Sequence, residues 1–487
     1  MSWKSKAEPV LARFPVIKPP AGHVSVRDKA KWTAVVLLLY AVLTNIELIG
    51  LGAGSGGGVI EQYRTILAGQ QGTLLQVGIA PIVTASIVMQ LLQGANLIGI
   101  DPNDPRDKII SQGLQNILIV VVSIMTAVPL AFTGGYIVPD TELASTLGIS
   151  LLGVETLLFL QIALGGIIIL YMNEIVNKWG VGSGVGVFII AGVSQRFIGG
   201  VFAFPQIGGA SGLVYQYWQI LNGSVEMGSV FTAEGLQSWI FGPGSILAIA
   251  STIAIIYTVV YVQSSRVEIP LSHAQSKMGG GKYPINLIYA SVLPLILVRA
   301  IQINLQFIGQ ALYNQFGEAM PAFIGVYSSG QPVGGLLYYL SPINRPQDWM
   351  WWLGTTSNEV WQIMLRVFTD MFLMVVGGAI FAVFWVRTTN MGPQSVADQI
   401  QLSNMQIKGF RQNTRSYEKV LERYIPQVTV IGGAFVGLLA VLANMLGTIG
   451  QVDGIGLLLT ISILYKIYEE LGEEYVRENI SKYAQFF

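Results

Sequence analysis

The stretch TLLQVGIAPIVTASIVMQLLQ, residues 73–93, is apolar enough to cross a lipid bilayer, yet it carries the polar residues Gln76, Thr84, Ser86 and Gln90. A proline lies within it and a glycine-rich segment precedes it. Lipid offers no partner to polar groups or interrupted backbone, so a membrane helix of this kind typically lines a cavity. The stretch therefore indicates a conduit.

The composition is that of a polytopic membrane protein. Of 487 residues, 52% are apolar and only 11% are charged, whereas soluble domains carry roughly 25% charged residues. The net charge of zero argues against nucleic-acid binding. With no cysteine and two histidines, disulfides are excluded and we expect neither a metal site nor a cofactor. The charged, proline-rich first 30 residues predict no cleavable signal peptide.

Ten runs have the length expected of membrane-spanning helices. They lie at residues 32–50, 73–93, 109–132, 156–175, 184–202, 245–262, 284–310, 361–386, 425–447 and 454–471. Five runs followed by five that start on the opposite side predict an inverted repeat. The expected fold is therefore an all-α polytopic membrane protein with ten transmembrane helices in two pseudo-symmetric inverted halves.

The distribution of Lys and Arg predicts the orientation. With the N-terminus inside, 22 of the 27 basic residues fall on the cytosolic side. Only Arg64 and Arg345, together with Arg196 and Arg366 in the outer parts of their runs, are counted on the outside, and Arg299 lies within the seventh run. By the positive-inside rule, both termini are expected to be cytosolic.

The expected organisation follows from these runs. Its parts are a cytosolic segment at 1–31, an N-terminal half at 32–202, an external hinge loop at 203–244, a C-terminal half at 245–471 with cytosolic loops at 263–283 and 387–424, and a cytosolic tail at 472–487.

Six long blocks resemble the SecY family of protein-conducting channels, and they extend over nearly the whole chain. The blocks are GIAPIVTASIVMQLL (78–92), NEIVNKWGVGSGVGVFIIAGVSQ (173–195), PVGGLLYYLSP (332–342), KGFR (408–411), ERYIPQVTVIGGAFVGLLAVLANMLG (422–447) and GLLLTISILYKIYEEL (456–471). The third and fourth blocks are closer to the archaeal and eukaryotic branch than to the bacterial one. The resemblance implies a two-halved helical shell around an hourglass pore in the cell (plasma) membrane, with a lateral opening toward lipid.

The resemblance implies an apolar ring at the pore constriction. Its residues here are Ile79, Val83, Val185, Ile189, Ile296 and Leu459. The first two residues and the next two have i, i+4 spacing, so each pair lies on one helical face. Branched aliphatic side chains wet poorly and keep ions out of a narrow pore. An isolated Ile or Val in a membrane helix is usually a core or lipid-facing residue; only the motifs around these six favour the ring.

A re-entrant plug helix is expected at 55–69, where the resemblance places one. The residues singled out there are Ser55, Ile60, Glu61, Tyr63, Arg64 and Ile66. A short charged helix cannot lie in lipid but can lie in an aqueous funnel, and the glycines before it permit a hinge. A plain external loop is the alternative.

The lateral opening is implied between the second and third helices on one side and the seventh and eighth on the other. Thr84, Ser86 and Gln90 are candidate polar residues on the first side, and Val292 occupies a candidate position on the second. Because Val292 is apolar, these three residues need other partners if a polar latch exists.

Two basic cytosolic loops are predicted to dock the ribosome. The residues concerned are Arg266, Lys408, Gly409 and Arg411. Lys and Arg pair with ribosomal RNA phosphate in a salt-sensitive way, although a run of charges is more often a solvated face. The family also implies a SecE/gamma-type subunit, a beta-type subunit, nascent polypeptides with signal sequences and membrane lipid as partners.

Arg299 in the seventh run is a charge within the membrane, which by default indicates function. One turn from Ile296, it is expected either to face the outer funnel, paired with Glu61 or Glu47, or to reach the outer interface.

Two other classes were weighed from the residues alone. A secondary transporter fits ten helices in inverted repeats, but transporters bind substrate at the midplane through charged groups or unwound carbonyls, and the expected midplane here is Ile, Val and Leu. A scaffold for membrane complexes is the other. An enzyme is disfavoured, because neither histidine lies in a spanning run and no HExxH, GxSxG or P-loop motif occurs.

Overall fold

The chain was analysed as a computed structural model. It describes residues 15–52, 69–94, 97–100, 104–132, 137–204, 212–222, 232, 237, 239–241, 245–273, 282–286, 293–328, 331–353, 358–389, 391–402, 405–407 and 414–484.

The N-terminal half is built from helices alone in its described residues. They are α1 (Val26–Leu43), α2 (Ala80–Gly94), α3 (Pro105–Phe132), the short α4 (Thr141–Leu147), α5 (Leu151–Trp179) and α6 (Gly184–Phe202). Serine side chains cap the start of three of them by accepting a backbone N–H: Ser25 for α1, Ser150 for α5 and Ser183 for α6. The predicted run at 184–202 coincides with α6.

The remaining elements are helices with two small sheets in the connections. In chain order they are α7 (Leu213–Leu221), α8 (Ile246–Ser264), β1 (Arg266–His273), β2 (Lys282–Asn286), α9 (Leu293–Phe316), β3 (Val326–Ser328), β4 (Gln331–Gly334), α10 (Leu336–Tyr339), α11 (Val360–Thr388), α12 (Pro393–Leu402), β5 (Met405–Ile407), α13 (Thr414–Leu446) and α14 (Gly454–Ala484).

Each of the ten predicted runs contains a helix. Among the described residues, seven helices are long and apolar enough to cross a membrane, namely α3, α5, α6, α8, α9, α11 and α13, and α2 is a shorter apolar helix. Charged residues at the start of α1 and in the second half of α14 shorten the apolar part of each helix. The all-α polytopic fold is confirmed.

Two predicted boundaries were wrong. The run at 284–310 begins in β2, and the described part of its helix is Leu293–Phe316. The helix in 73–93 starts at Ala80 because residues 73–79 form a series of turns. In both cases apolar composition alone does not separate a helix from the extended or turned backbone that leads into it.

The two sheets lie in the long connections, where the sequence predicted only loops. Strand β1 pairs antiparallel with β2 and with β5, so the loop after α8 and the loop after α11 share one sheet. Strands β3 and β4 form a hairpin between α9 and α11. The predicted hinge loop 203–244 contains α7.

Large apolar side chains cover the outside of the helical shell. On α8, Ile253, Tyr257 and Tyr261 are each more than 60% exposed. A continuous exposed apolar surface of this kind is stable only against lipid. The surface therefore agrees with the membrane-spanning assignment of these helices.

Helices α11 and α13 pack through glycines. A Cβ on Gly378 would lie 2.7 Å from the carbonyl oxygen of Gly433, and a Cβ on Gly433 would lie 2.6 Å from that of Gly378. Small residues let membrane helices approach closely, which is the main source of helix association in lipid. Gly378→Ala should therefore push the two backbones apart and cost about 1–3 kcal/mol of stability.

Thermal unfolding in detergent measures this loss. Gly199→Ala is the matched control, because Gly199 lies in α6 and nothing occupies the space around its would-be Cβ. Equal stability of the two alanine variants would contradict the close packing of α11 against α13.

Candidate pore and gate

The six residues of the predicted ring lie in one apolar cluster at the centre of the molecule. Ile79, Val83, Ile189, Ile296 and Leu459 are buried members of it, and the half-buried Val185 packs against it. They come from α6, α9, α14 and the start of α2, so both halves of the chain contribute. The cluster also contains many other core residues, and assignment of these six as a pore ring stays a prediction.

The packing of α6 against α14 aligns two of the ring candidates. One glycine just before α6 and two within it lie directly against α14 or the residues before it: Gly182 at Ile467, Gly186 at Ile463 and Gly200 at Gly450. The residue number of the contact on α14 decreases as the residue number on α6 increases. The two helices therefore run antiparallel. Because both helices rise equally per residue, Ile189 lies within one residue of the level of Leu459.

The start of α6 is set by the glycine-rich segment before it. Ser183 Oγ accepts from the Gly186 N–H at 3.2 Å, and Asn177 Oδ1 accepts from the Gly184 N–H at 2.7 Å. Gly182 has a φ of +68°, a conformation that favours glycine. This segment is therefore a closely packed helix entry, and these contacts orient Val185.

Ile79 precedes α2 but already follows its geometry. The Val83 N–H donates to the Ile79 carbonyl at 3.0 Å, which is a helical i to i−4 bond. Ile79 and Val83 therefore share one face, as their spacing predicts. Gln76 does not point into this face; its Oε1 accepts from the Gly72 N–H at 3.2 Å.

All six plug residues named from the sequence, within 55–68, lie outside the described residues. The ends of that segment are well anchored. On one side Gly52 N donates to Val138 O at 2.8 Å, and on the other Leu48 N donates to Gly72 O at 2.9 Å. A backbone bridge between Glu47 and Thr73 brings the two ends together.

The predicted gate residues on α2 differ in their surroundings. Ser86 Oγ donates to Ile82 O at 2.8 Å and accepts from Gln115 Nε2 of α3 at 2.9 Å. Ser86 therefore bonds to α3, on its own side of the opening. Thr84 and Gln90 are half-buried, and Val292 lies outside the described residues. Helix α2 packs against both α9 and α11, so the elements of the predicted gate do meet.

The predicted docking loops are joined by the sheet. Arg266 opens β1, and its Nη2 lies 2.6 Å from Glu469 Oε1 and 3.3 Å from Tyr465 Oη, both on α14. The hydrogen bond with Tyr465, more than the charge of Glu469, raises the pKa of Arg266. Lys408, Gly409 and Arg411 lie outside the described residues. Lys408 directly follows Ile407, which pairs with Leu271 of β1.

The described part of the N-terminal segment contacts the C-terminal parts of α5 and α14. The Ile17 N–H donates to Glu174 Oε2 at 3.0 Å, and Lys29 Nζ lies 2.5 Å from Glu474 Oε1. Glu174 is buried and also accepts from Asn116 of α3 at 2.7 Å. The segment therefore packs as a strap across one end of the helices.

The expectation that Arg299 reaches the outer interface was wrong. Its side chain is fully buried, and its Nη1 lies 3.3 Å from Asp370 Oδ1 of α11. Glu47 is exposed. The other expected partner, Glu61, lies outside the described residues. Sequence reasoning missed Asp370 as the partner, although an acidic residue within the apolar run 361–386 was a signal of the same kind as Arg299.

Comparison with known proteins agrees with this architecture. Residues 73–468 match the family model SecY, and residues 38–72 match the model of the plug domain of Sec61p. The second match contains the whole predicted plug segment, 55–69. The protein translocase subunit SecY of Haloarcula marismortui is 54% identical, with 100% of each chain covered.

Solved structures of channels have the same fold. The structure of a protein conducting channel superposes with a TM-score of 0.77 at 36% identity and covers 96% of this chain and 97% of that chain. Sec61 in the canine ribosome–channel complex from the endoplasmic reticulum gives a TM-score of 0.74 at 36% identity, with the same coverage.

The transporter alternative is wrong, because these relatives are channels and translocase subunits. The resemblance drawn from the six sequence blocks is confirmed over the length of the chain. The chain belongs to the SecY family of protein-conducting channels.

Proposed function

We propose that this chain is the central pore-forming subunit of a protein translocation channel, with Ile79, Val83, Val185, Ile189, Ile296 and Leu459 as its constriction. It passes unfolded secretory polypeptides across the membrane and releases transmembrane segments sideways into lipid. The observation that carries the proposal is the convergence of these residues, from both halves, in one apolar cluster.

The chemistry of such a ring suits its task. Aliphatic walls bind an extended polypeptide weakly, so the polypeptide can move on, and they dewet when narrow, so ions stay out. The segment at 55–69 acts as a plug that adds a second seal on the outer side. The chain catalyses no reaction itself, and the driving force comes from a partner.

The lateral gate lies where α2 and α3 meet α9 and α11. The contacts of α2 with α9 and α11 support this position. Thr84, Ser86 and Gln90 line one side and Val292 the other. Because Ser86 is bonded to α3, it moves with that side when the gate opens.

The partners and the location follow from the family and from the loops. A SecE/gamma-type subunit and a beta-type subunit complete the complex in the cell membrane, with both termini cytosolic and a hinge between the halves at 203–244. The ribosome docks on Arg266, Lys408, Gly409 and Arg411. The sheet that joins β1 to β5 supports this docking surface, because it brings the two loops together.

A stalled secretory polypeptide tests the proposal. A photoreactive amino acid is placed at position 189 or 459, and at the lipid-facing position 253 as the matched control. We expect the stalled polypeptide to cross-link from 189 and 459 but not from 253. Cross-linking to lipid alone from the first two positions would contradict the pore.

A further inference from the structure

A buried polar network joins α9 to α11 within the apolar interior. Arg299 Nη1 donates to Gln302 Oε1 at 2.9 Å and to Asp370 Oδ1 at 3.3 Å, and Gln302 Nε2 donates to the same Asp370 oxygen at 3.1 Å. The exposed fractions of Arg299, Gln302 and Asp370 are 0%, 5% and 1%. The three side chains therefore form a closed triangle away from solvent.

The network extends to the connection between α10 and α11 and to the start of α14. The second oxygen of Asp370, Oδ2, accepts from the Ile343 N–H at 3.2 Å. Asp453, the residue before α14, is also buried, close enough to Arg299 to be attracted by its charge and to Asp370 to be repelled by that carboxylate. Asp453 Oδ2 in turn accepts from the Gly456 N–H in the first turn of α14 at 3.4 Å.

The network lies next to two residues of the proposed ring. Arg299 is three residues after Ile296, which is about one helical turn. Asp453 is six residues before Leu459 on the chain, or about 9 Å along a helix. The same charges that connect α9, α11 and α14 thus lie close to the side chains that α9 and α14 contribute to the constriction.

A buried charge pair constrains geometry more strongly than apolar packing does. Apolar side chains can slide and repack at small cost, whereas a buried charge that loses its partner is left uncompensated in a medium of low polarity. Helices α9 and α11 therefore cannot shift past each other in this region without breaking the Arg299–Asp370 contact.

We propose that Arg299, Gln302 and Asp370 are positioning residues of the pore: they hold α9 against α11, with Asp453 joining α14, so that Ile296 and Leu459 meet the other ring residues and the resting channel stays closed to ions. This role rests on the proposed function. It goes beyond the ring itself, because none of the three polar residues lines the constriction.

Resting ion conductance of the purified complex in planar bilayers tests the role. Arg299→Gln and Asp370→Asn should each raise it by about tenfold, the factor that corresponds to about 1.4 kcal/mol. The double variant should leak no more than the leakier single variant, since both substitutions break one contact. Arg299→Lys keeps the charge and should leak less than Arg299→Gln.

Glu174→Gln is the matched control. It also neutralises a buried, hydrogen-bonded carboxylate, but in α5 and next to the N-terminal strap. We expect its resting conductance to equal that of the parent. If Glu174→Gln leaks as much as Asp370→Asn, the leak reports general destabilisation and the positioning role is wrong.

If the charge variants do not accumulate in cells, Gln302→Leu still tests the positioning role. It leaves the charges of Arg299 and Asp370 in place and keeps a side chain of similar volume. It should also raise the resting conductance, by a smaller factor. A parent-like conductance of Gln302→Leu, or of folded Arg299→Gln and Asp370→Asn, would overturn the role. The proposed function has its own test, the cross-linking from positions 189 and 459. None of these variants changes those positions, so the two proposals can fail separately.

Discussion

Replacing Ile79 and Ile296 together with Asn should make the resting channel conduct ions and accept substrates with defective signal sequences. Both side chains are almost fully buried, at 0% and 3% exposure, in the cluster that joins the two halves. Burying an aliphatic side chain is worth about 1.5–3 kcal/mol, and about 1.4 kcal/mol changes a population tenfold. We therefore expect a resting conductance at least about tenfold above that of the parent.

The measurement is single-channel recording on the reconstituted complex, together with export of a reporter whose signal sequence has a shortened apolar core. Ile253→Asn is the matched control, since Ile253 is 61% exposed on the lipid-facing surface of α8. We expect this control to seal normally. If the variant with both Ile79 and Ile296 replaced shows unchanged conductance and still rejects the defective signal sequence, the assignment of these residues to the ring is wrong.

The sequence predicted the helices well because apolar length is a strong signal in a membrane protein. Each of the ten runs contains a helix, and the i, i+4 spacing of Ile79 and Val83 is realised as one helical face. The sequence did not predict the contacts between segments that are distant along the chain. The pairing of β1 with β5 joins loops more than 130 positions apart, and nothing in either loop alone specifies the other as its partner.

Arg299 shows the same limit for the site. Its position in an apolar run correctly marked it as unusual, but its partner was sought among residues at the outer surface. The true partner, Asp370, lies 71 positions away in α11, and only the packing of α9 against α11 brings them together. Ser86 likewise finds Gln115 on α3. A single sequence indicates that a buried polar group needs a partner, but tertiary packing decides which one.

Joining α2 to α9 covalently should abolish translocation while leaving the folded channel intact. The chain has no cysteine, so an introduced pair is the only thiol pair present. On α9, Leu295 and Val298 face the glycines of α11, which leaves Leu297 and Ala300 as buried residues directed to other neighbours. Cysteines at 84 or 90 are therefore combined with cysteines at 297 or 300 and treated with a short bis-maleimide.

The matched control joins two helices on the same side of the opening. Cysteines at 86 and 115 replace side chains that already bond between α2 and α3 at 2.9 Å, so the same reagent links them without crossing the gate. If polypeptides leave between α2 and α9, linkage at 84–297, or at whichever pair reacts, blocks export and membrane insertion, whereas linkage at 86–115 leaves both unchanged. A gate that opens elsewhere would give the reverse: a linked α2–α9 pair with normal export. Because both constraints join α2 to a neighbouring helix with the same reagent, the difference between them isolates the separation of α2 from α9 as the step that the polypeptide requires.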